Sequence, residues 1–159
     1  MTVRAYTPED CQAMAQLFYE TIHSINAADY TKAQLDAWAT GNVDYERWRR
    51  EFLAHDTQVA VDNHIIIGFG NMDATGYLDK LFVHRQYQRK GIASAICDIL
   101  EHNATLRGVA LLTTHASITA RPFFERRGYY VVKAQQVTRR GQQLCNFIMQ
   151  KNLSLPEKC

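Results

Sequence analysis

The middle of the chain alternates between apolar, strand-like segments and one helix, and this alternation restricts the fold more than any other feature. Tyr77 to His84 is rich in β-forming residues, a helix is predicted to open near Gly91, and Val109 to Thr114 is an apolar run suited to a buried strand. A strand–helix–strand unit within one sheet connects by a right-handed crossover, which makes its two strands parallel. The sequence therefore predicts a sheet with a parallel pair at its centre.

The segments on either side complete a mixed sheet with helices on its faces. A short strand, Thr2 to Tyr6, precedes three segments with apolar residues at helical spacing, and two strands then lead into the central unit. A short helix, Thr119 to Arg127, and two more strands follow it. The other predicted strands are Gln58 to Val61, His64 to Met72, Tyr129 to Val137 and Gln142 to Met149. We expect an α/β fold built on a single mixed, mostly antiparallel sheet with a central parallel pair and flanking helices.

Local capping and turn signals set the predicted boundaries. The segment Thr7 to Asp10 offers an N-cap hydroxyl, a proline at the first helical position and acids in the first turn. Thr31 to Gln34 is a capping-box pattern for the second helix. The Asp62-Asn63 pair predicts a tight hairpin, and Gly128 predicts the C-cap of the short helix.

Length and charge are typical of a globular domain. At 159 residues we expect one domain over residues 1–153, followed by a short C-terminal tail over residues 154–159. A net charge of +2 with interspersed charges argues against a basic nucleic-acid-binding arm. No apolar run approaches the roughly 20 residues that a membrane span needs, so no membrane partner is expected.

Cysteine and histidine usage favours a cytoplasmic protein without a bound metal. The four cysteines lie far apart, and the N-terminus lacks the apolar core of a signal peptide, so we expect reduced thiols in the cytoplasm. The six histidines show no metal-ligand spacing such as HExxH. The sequence therefore predicts no metal site.

Leu78 to Ser94 carries the clearest functional signal. In this segment a strand is followed by a polar loop and by a helix that opens on the small residues Gly91 and Ala93. The first amides of a helix are unpaired and carry partial positive charge, and small residues let an anion reach them. Arg89 and Lys90 add positive charge. The pattern favours a phosphate site, with a basic loop before an ordinary surface helix as the alternative.

Two motifs make the chain resemble the GCN5-related N-acetyltransferases (GNAT). The family's acetyl-CoA motif, a strand followed by [RQ]-x-x-G-x-[GA] and a helix, matches Leu81-Phe82-Val83 and then Gln88-Arg89-Lys90-Gly91-Ile92-Ala93. The family segment N-x-x-A-x-x-F-Y-x-x-x-G-[FY] is similar to Ala116 to Tyr129, and the order of elements fits along nearly the whole chain. The segments Ser24 to Trp38 and Ala116 to Phe124 resemble more narrowly the YafP-like branch of bacterial acetyltransferases.

The resemblance implies acetyl-CoA as co-substrate, bound where the two central strands splay apart at their C-terminal ends. Backbone groups of Phe82 and Val83 would pair with the pantetheine arm, and the amides from Arg89 to Ser94 would hold the pyrophosphate. The second motif would line the far side, with Ser117 at the family's asparagine position. The whole implied set is Leu81, Phe82, Val83, Gln88, Arg89, Lys90, Gly91, Ile92, Ala93, Ser94, Ser117, Arg121 and Phe124.

The same resemblance implies direct transfer of the acetyl group from the thioester to a primary amine. An amine of pKa near 10 is mostly protonated at pH 7, so a base must remove a proton. A strand glutamate of the family would align at Tyr77, which is a poor base, so Asp79 is the first candidate, followed by Asp73 and His23. The family's acid, a tyrosine, is replaced by Phe124. A thiol of pKa about 8.5 can still leave as the thiolate.

We therefore expect an acetyl-CoA-dependent N-acetyltransferase whose acceptor is a small-molecule or peptide amine. One alternative is a non-catalytic acyl-CoA-binding module, motivated by Phe124 and by the missing strand glutamate. A more distant alternative is a nucleotide or RNA-phosphate binder that uses Gln86 to Lys90. The last strand, Gln142 to Met149, offers an edge for a homodimer.

Overall fold

Seven strands form one sheet in which a single neighbouring pair is parallel. The computed structural model describes residues 1–153, so the tail predicted over residues 154–159 lies outside the described residues. The strands lie in the order β1-β2-β3-β4-β5-β7-β6, with β4 and β5 parallel and every other neighbouring pair antiparallel. The predicted mixed sheet with a central parallel pair is confirmed. The strands are β1 Thr2–Ala5, β2 Asp56–Asp62, β3 Ile65–Met72, β4 Tyr77–Val83, β5 Leu111–Ser117, β6 Tyr130–Arg139 and β7 Gln142–Asn152.

Five α-helices cover the two faces of this sheet. They are α1 Cys11–Ser24, α2 Lys32–Trp38, α3 Tyr45–Ala54, α4 Ile92–Leu106 and α5 Arg121–Arg126, with short 3-10 turns at Pro8–Asp10 and Asn26–Ala28. The helix predicted to open at Thr7 begins as the 3-10 turn, where the Asp10 carboxylate accepts from the Thr7 amide at 2.9 Å. Thr31 caps α2 by accepting a hydrogen bond from the Gln34 amide at 3.2 Å, as the capping-box pattern predicts.

Two apolar layers hold the helices to the sheet. On one face α1, α2 and α3 pack through a cluster that includes Phe18, Phe52 and Phe69. On the other face α4 and α5 pack through a cluster that includes Ile96 and Met149. Each fully buried large side chain contributes roughly 1.5–3 kcal/mol to folding. The sheet between these layers is therefore a rigid support for the side chains and backbone groups of its strands.

Several boundaries differ from prediction by one or two residues, for local reasons. The hairpin between β2 and β3 turns at Asn63 and His64, whose φ angles are 48° and 65°. A two-residue hairpin loop needs positive φ at both positions, and this requirement moves the turn one residue beyond the predicted Asp62-Asn63 pair. Strand β5 begins two residues late because the Val109 amide still bonds to the Ala104 carbonyl of α4 at 3.0 Å.

The last strand does not form an edge of the sheet. Strand β7 pairs with β5 on one side and with β6 on the other, so the expectation that it offers an edge to a second subunit is wrong. Two consecutive hairpin strands can exchange their order in a sheet without changing their sequence pattern, and here β6 takes the outer position. A homodimer stays a prediction, and β1 and β6 are the two edge strands of the sheet.

A buried carboxylate on α4 joins this helix to the last two elements. Glu101 accepts hydrogen bonds from Arg127 Nε at 2.7 Å, Lys151 Nζ at 2.7 Å and the Tyr129 hydroxyl at 3.2 Å. Arg127 also binds Asp98 at 2.6 Å. Although burial opposes it, these hydrogen bonds raise the pKa of Arg127. The network fixes the start of β6 and the end of β7 against α4.

We predict that Glu101→Gln lowers the free energy of unfolding by about 2 kcal/mol, because it weakens the charge-assisted hydrogen bonds of two partly buried cations, Arg127 and Lys151. The matched control is Asp36→Asn, which removes the exposed Lys32–Asp36 pair on α2 and should cost less than about 0.5 kcal/mol. Urea denaturation of the three proteins measures both differences. Equal losses for the two variants would contradict a stabilising role for the Glu101 network.

Candidate active site

The parallel pair at the centre of the sheet is short. Strands β4 and β5 pair only at Tyr77 with Thr113 and at Leu78 with Thr114. The Thr114 hydroxyl donates to the Leu78 carbonyl at 2.9 Å and fastens this last rung. Beyond it β4 stays on β3 and β5 stays on β7, so the two strands separate. We call this point the fork.

A β-bulge at the fork turns β4 away from β5. Lys80 pairs with Asn71 of β3, but Leu78 pairs with the next β3 residue, Met72, so Asp79 is an extra residue with no partner of its own. A bulge bends its strand and increases its twist, and it redirects the side chain at that position. Asp79 and Lys80 therefore stand at the fork, where the sequence pattern alone predicts an unbroken strand.

The backbone edge that faces the fork belongs to Leu81 and Val83. The His84 amide donates to the Ile67 carbonyl at 2.8 Å, so alternate residues of β4, Phe82 among them, bond to β3. The amide and carbonyl of Phe82 therefore pair with β3. They are not available for the pantetheine contact that was expected of Phe82. The Phe82 side chain packs among Phe18 and Phe69.

The Val83 carbonyl at this edge already has two donors. Thr21 Oγ1 of α1 lies 3.1 Å from it, and Gln88 Nε2 lies 2.7 Å from it. Gln88, the first residue of the cofactor motif, therefore folds the loop back onto the end of β4. The groups left facing the fork are the Val83 amide and the amide and carbonyl of Leu81.

The start of α4 presents free amides beside this edge. No side chain of residues 1–153 caps the helix at Gly91, whose φ is +77°, and a Cβ added there would meet nothing within 4 Å. The amides of the first turn, Ile92, Ala93 and Ser94, have no partner within the helix. Arg89 adds a cation to the same wall, whereas Lys90 lies outside it and stacks at 5.3 Å over Tyr87.

A cavity of about 1680 Å³ runs from the start of α4 through the fork to the far side of the sheet. One half is lined by the Leu81 to Val83 edge and by the first turn of α4. The other half is lined by α1, α3 and the segment between α2 and α3. The cavity exceeds the 300–1,000 Å³ of an ordinary small-ligand pocket, so it has room for two ligands that meet at the fork.

The second motif lies along the cavity but makes mostly internal contacts. Ser117 Oγ accepts from the Ala120 amide at 3.0 Å and closes the turn that leads into α5. Phe124 is 3% exposed and packs edge-on against Tyr129 with ring centroids 5.0 Å apart. Arg121 stacks at 4.5 Å over the Phe147 ring, outside the cavity wall. Cofactor contacts of these residues stay predictions.

The structure separates Tyr77, Asp79 and His23, three of the four side chains considered as the base. Burial and the Asp79 and Asp73 carboxylates raise the pKa of Tyr77 to about 12, so Tyr77 stays protonated. Asp79 is at the fork and forms an ion pair with Lys80 at 2.9 Å. His23 is outside the cavity wall, and its Nε2 lies 2.7 Å from the Ala39 carbonyl, to which it must donate. Of these three, Tyr77 and Asp79 line the cavity and His23 does not.

Asp73 lies at the turn before β4 and is held by local hydrogen bonds. Its carboxylate accepts from the Thr75 amide at 2.9 Å, the Thr75 hydroxyl at 2.6 Å and the Tyr77 amide at 3.0 Å. Although burial works in the opposite direction, these bonds hold the pKa of Asp73 below its ordinary value. Asp73 therefore shapes the turn that leads into the fork.

Comparison with known proteins identifies the group to which this architecture belongs. A sequence model of the acetyltransferase (GNAT) domain matches residues 26–152. The chain is 36% identical over 147 residues to the uncharacterised N-acetyltransferase YafP of Escherichia coli strain K12, a match that covers 92% of this chain and 93% of YafP. The chain belongs to the GCN5-related N-acetyltransferase family.

Solved structures show the same GNAT fold. A crystal structure from Rhodopseudomonas palustris, described as a GCN5-related N-acetyltransferase and class-II aminotransferase, superposes with a TM-score of 0.91 at 32% identity, covering 96% of this chain and 95% of that one. The PaiA N-acetyltransferase of Thermoplasma acidophilum, solved with coenzyme A, gives 0.79 at 17% identity, covering 95% and 98%. As a GNAT member, the chain is an N-acetyltransferase with acetyl-CoA as co-substrate, and the predicted family and enzyme class are confirmed.

Residues 1–153 contain neither a membrane-spanning helix nor a cluster of metal-binding side chains. None of the helices in this part of the chain is long and apolar enough to cross a membrane. In the same residues no three His, Cys, Asp or Glu side chains converge as a metal ion would require.

Sequence reasoning missed two residues at the GNAT fork. Lys80 lines the half of the cavity that contains α1 and α3, with its Nζ 5.1 Å from the Trp48 ring, and the bulge at Asp79 sets its position. His115 is the first residue of β5 beyond the fork, and its only signal in the sequence was its place just after a predicted parallel strand. Ligands of α/β sheets bind at such strand ends, so the position of His115 indicates a candidate site residue.

We predict that Gly91→Ala lowers the free energy of unfolding by about 1 kcal/mol, because an L-residue is strained at a positive φ. No clash contributes, since a Cβ at this position meets open space. Gly91→Asn is the matched control and should cost less, because asparagine tolerates the left-handed region. Chemical denaturation of both variants measures the difference, and an alanine variant as stable as wild type would refute the strained loop.

Proposed function

We propose that this GNAT chain transfers the acetyl group of acetyl-CoA to a primary amine that is cationic in solution, carried by a small molecule or a peptide. The continuous cavity through the fork is the observation that carries the proposal, because it lets a thioester and an amine approach the same point from opposite sides. Acetyl-CoA supplies an activated acetyl group whose leaving group is a thiolate. The chain's own task is to orient both partners and to move protons.

The half of the cavity lined by the Leu81 to Val83 edge and the first turn of α4, which we call the cofactor half, fits an extended molecule with a diphosphate. The free Leu81 groups and the Val83 amide can pair with the amides of a pantetheine arm as a further strand would. The unpaired amides of Ile92, Ala93 and Ser94, together with the Arg89 guanidinium, suit the pyrophosphate. A backbone amide at this edge is also the simplest donor to the oxygen of the thioester carbonyl as it gains negative charge.

The half of the cavity lined by α1, α3 and the segment between α2 and α3, which we call the acceptor half, holds charges of both signs. Asp44, Glu51, Asp73 and Asp79 line it together with Arg47, Lys80, Arg139 and Arg140, so any preference for a cation has to come from an individual carboxylate. Asp79 stands nearest the fork and is 29% exposed despite its ion pair with Lys80. We propose that Asp79 attracts and orients the ammonium form of the acceptor, since a carboxylate at close range stabilises such a charge.

The cytoplasm is the compartment we propose for this activity. Among the described residues Cys11, Cys97 and Cys145 are all free thiols, and two of them are buried. Free thiols of this kind persist in a reducing compartment.

We predict a thermal shift with acetyl-CoA and with CoA but not with ATP. At about 100 times its dissociation constant a ligand stabilises the folded state by about 2.7 kcal/mol, which is several degrees for a chain of this size. A shift with the first two ligands would then justify a panel of amines, with loss of the thioester absorbance as the readout. Absence of any shift at millimolar acetyl-CoA would overturn the proposed cofactor site.

A matched pair of variants locates that ligand. Ala93→Glu puts an acid in the first turn of α4, where it favours the helix but repels a phosphate, so it should keep the fold and lose the shift. His102→Glu makes the same change of charge near the exposed end of α4 and should keep the shift.

Binding of acetyl-CoA without turnover of any amine would favour the non-catalytic acyl-CoA-binding module.

We predict that Phe124→Tyr, which restores the family's hydroxyl, changes kcat by less than about threefold, because a thiol of pKa about 8.5 leaves without help from an acid. Tyr129 and Tyr130 do not replace that acid, since the Tyr129 hydroxyl binds Glu101 and Tyr130 is exposed on β6. Steady-state kinetics with an amine from the panel measures kcat. A gain of tenfold or more would show that protonation of the thiolate limits the reaction.

A further inference from the structure

His115 occupies the β5 side of the fork. The last rung joins Leu78 to Thr114, so Asp79 and His115 are the first residues beyond it on their respective strands. The His115 side chain is exposed to the cavity, on the face of the sheet that carries the acceptor half. A base that accepts the proton of an amine has to stand at this point, where the acceptor meets the thioester.

The surroundings of His115 keep its imidazole oriented and its lone pair available. The ring packs edge-on against Tyr77 with centroids 5.2 Å apart. The side-chain nitrogen of Gln135 on β6 lies 3.5 Å from Nδ1, which is too long to hold the lone pair firmly. The charged groups that act on it are Asp79 on β4 and Arg139 at the end of β6.

Three other groups near the fork are poorer acceptors for the amine proton. Asp79 is ion-paired with Lys80, and the Tyr77 phenol stays protonated. His55 also lines the cavity, but the Asn71 amide nitrogen lies 3.0 Å from its Nδ1. The Asn71 oxygen accepts from the Lys80 amide at 3.1 Å, so the nitrogen of Asn71 donates to Nδ1 and leaves the proton of His55 on Nε2. Of the two histidines that line the cavity, His115 is the one whose ring nitrogen has no close donor.

We propose that His115 is the catalytic base of the proposed acetyl transfer, on which this inference rests. The ammonium group of the acceptor loses one proton to the His115 imidazole. The amine lone pair then forms the nitrogen–carbon bond with the thioester carbon, and the carbon–sulfur bond breaks with its electron pair on sulfur. The second proton leaves the nitrogen and ends on the thiolate as CoA thiol, while the imidazolium returns its proton to water.

The local charges suit this role. Partial desolvation by the surrounding side chains lowers the pKa of His115, the Asp79 carboxylate opposes that change, and the Arg139 guanidinium adds to it. The imidazole is therefore neutral at pH 7 and able to accept a proton. Because protonation removes the base, kcat/KM should fall with a slope of one as the pH drops through the pKa of His115.

The first test is the pH profile of kcat/KM with the best amine of the panel. His115→Gln should lower kcat/KM at pH 7 by roughly 100-fold and should abolish the fall at low pH. His55→Gln, the other cavity histidine, should keep that fall. A His115→Gln protein within threefold of wild type, or a low-pH fall that disappears in His55→Gln or in Asp79→Asn instead, would overturn the proposal.

The second test needs no acceptor. Proton NMR titration of the histidine ring signals assigns His115 as the signal that His115→Gln removes. Asp79→Asn should lower that pKa because a carboxylate is lost, and Arg139→Gln should raise it because a cation is lost. The kinetic pKa should follow both shifts in the same directions.

These outcomes distinguish a wrong assignment of His115 from a wrong proposed function. A thermal shift with CoA in His115→Gln, together with lost turnover, supports the base and leaves the cofactor site intact. No binding of CoA by wild type would overturn the proposed function itself. Normal binding and turnover with a kinetic pKa that ignores both charge variants would overturn only the assignment of His115.

Discussion

The fork between β4 and β5 depends on the requirement that backbone polar groups withdrawn from water be paired. The backbone groups of β4 and β5 are paired with each other as far as Leu78 and Thr114. Beyond this pair the bulge at Asp79 turns β4 away, and the pairing between β4 and β5 ends. What remains is one side of a sheet edge, enclosed by helices and lined with unpaired amide groups. Such an edge is complementary to an extended chain of amides, so the opening of the sheet and the recognition of the co-substrate have a single physical cause.

The fold and the cofactor half were predictable because their signals are local. Helical and strand periodicities, a capping box and the small residues at the start of α4 all lie within short stretches of sequence. The predicted position of the β2–β3 turn was wrong by one residue, since it lies at Asn63 and His64. Backbone strain, and not the pattern of side chains, determines the position of such a turn. Gln88 shows a further limit, since the motif marks it as a cofactor residue and the structure uses it to hold the Val83 carbonyl.

The acceptor half could not be predicted in the same way, because residues far apart in sequence build it. Asp79 and His115 meet only through the crossover that carries α4, and Lys80 reaches Trp48 only because of the bulge. The order of β6 and β7 is a similar case, since two hairpin strands of like composition can take either position in a sheet. Such placements depend on packing of the whole sheet, to which no short pattern corresponds.

The two donors on the Val83 carbonyl have a consequence for the protein without its ligand. An unpaired strand edge is a template on which other chains can add, and proteins that leave one open risk aggregation. Thr21 and Gln88 interrupt the edge of β4 at its outer end, where a foreign strand would first gain a hold. The same two side chains that shape the cleft for one extended molecule thus help to keep an unsuitable one out.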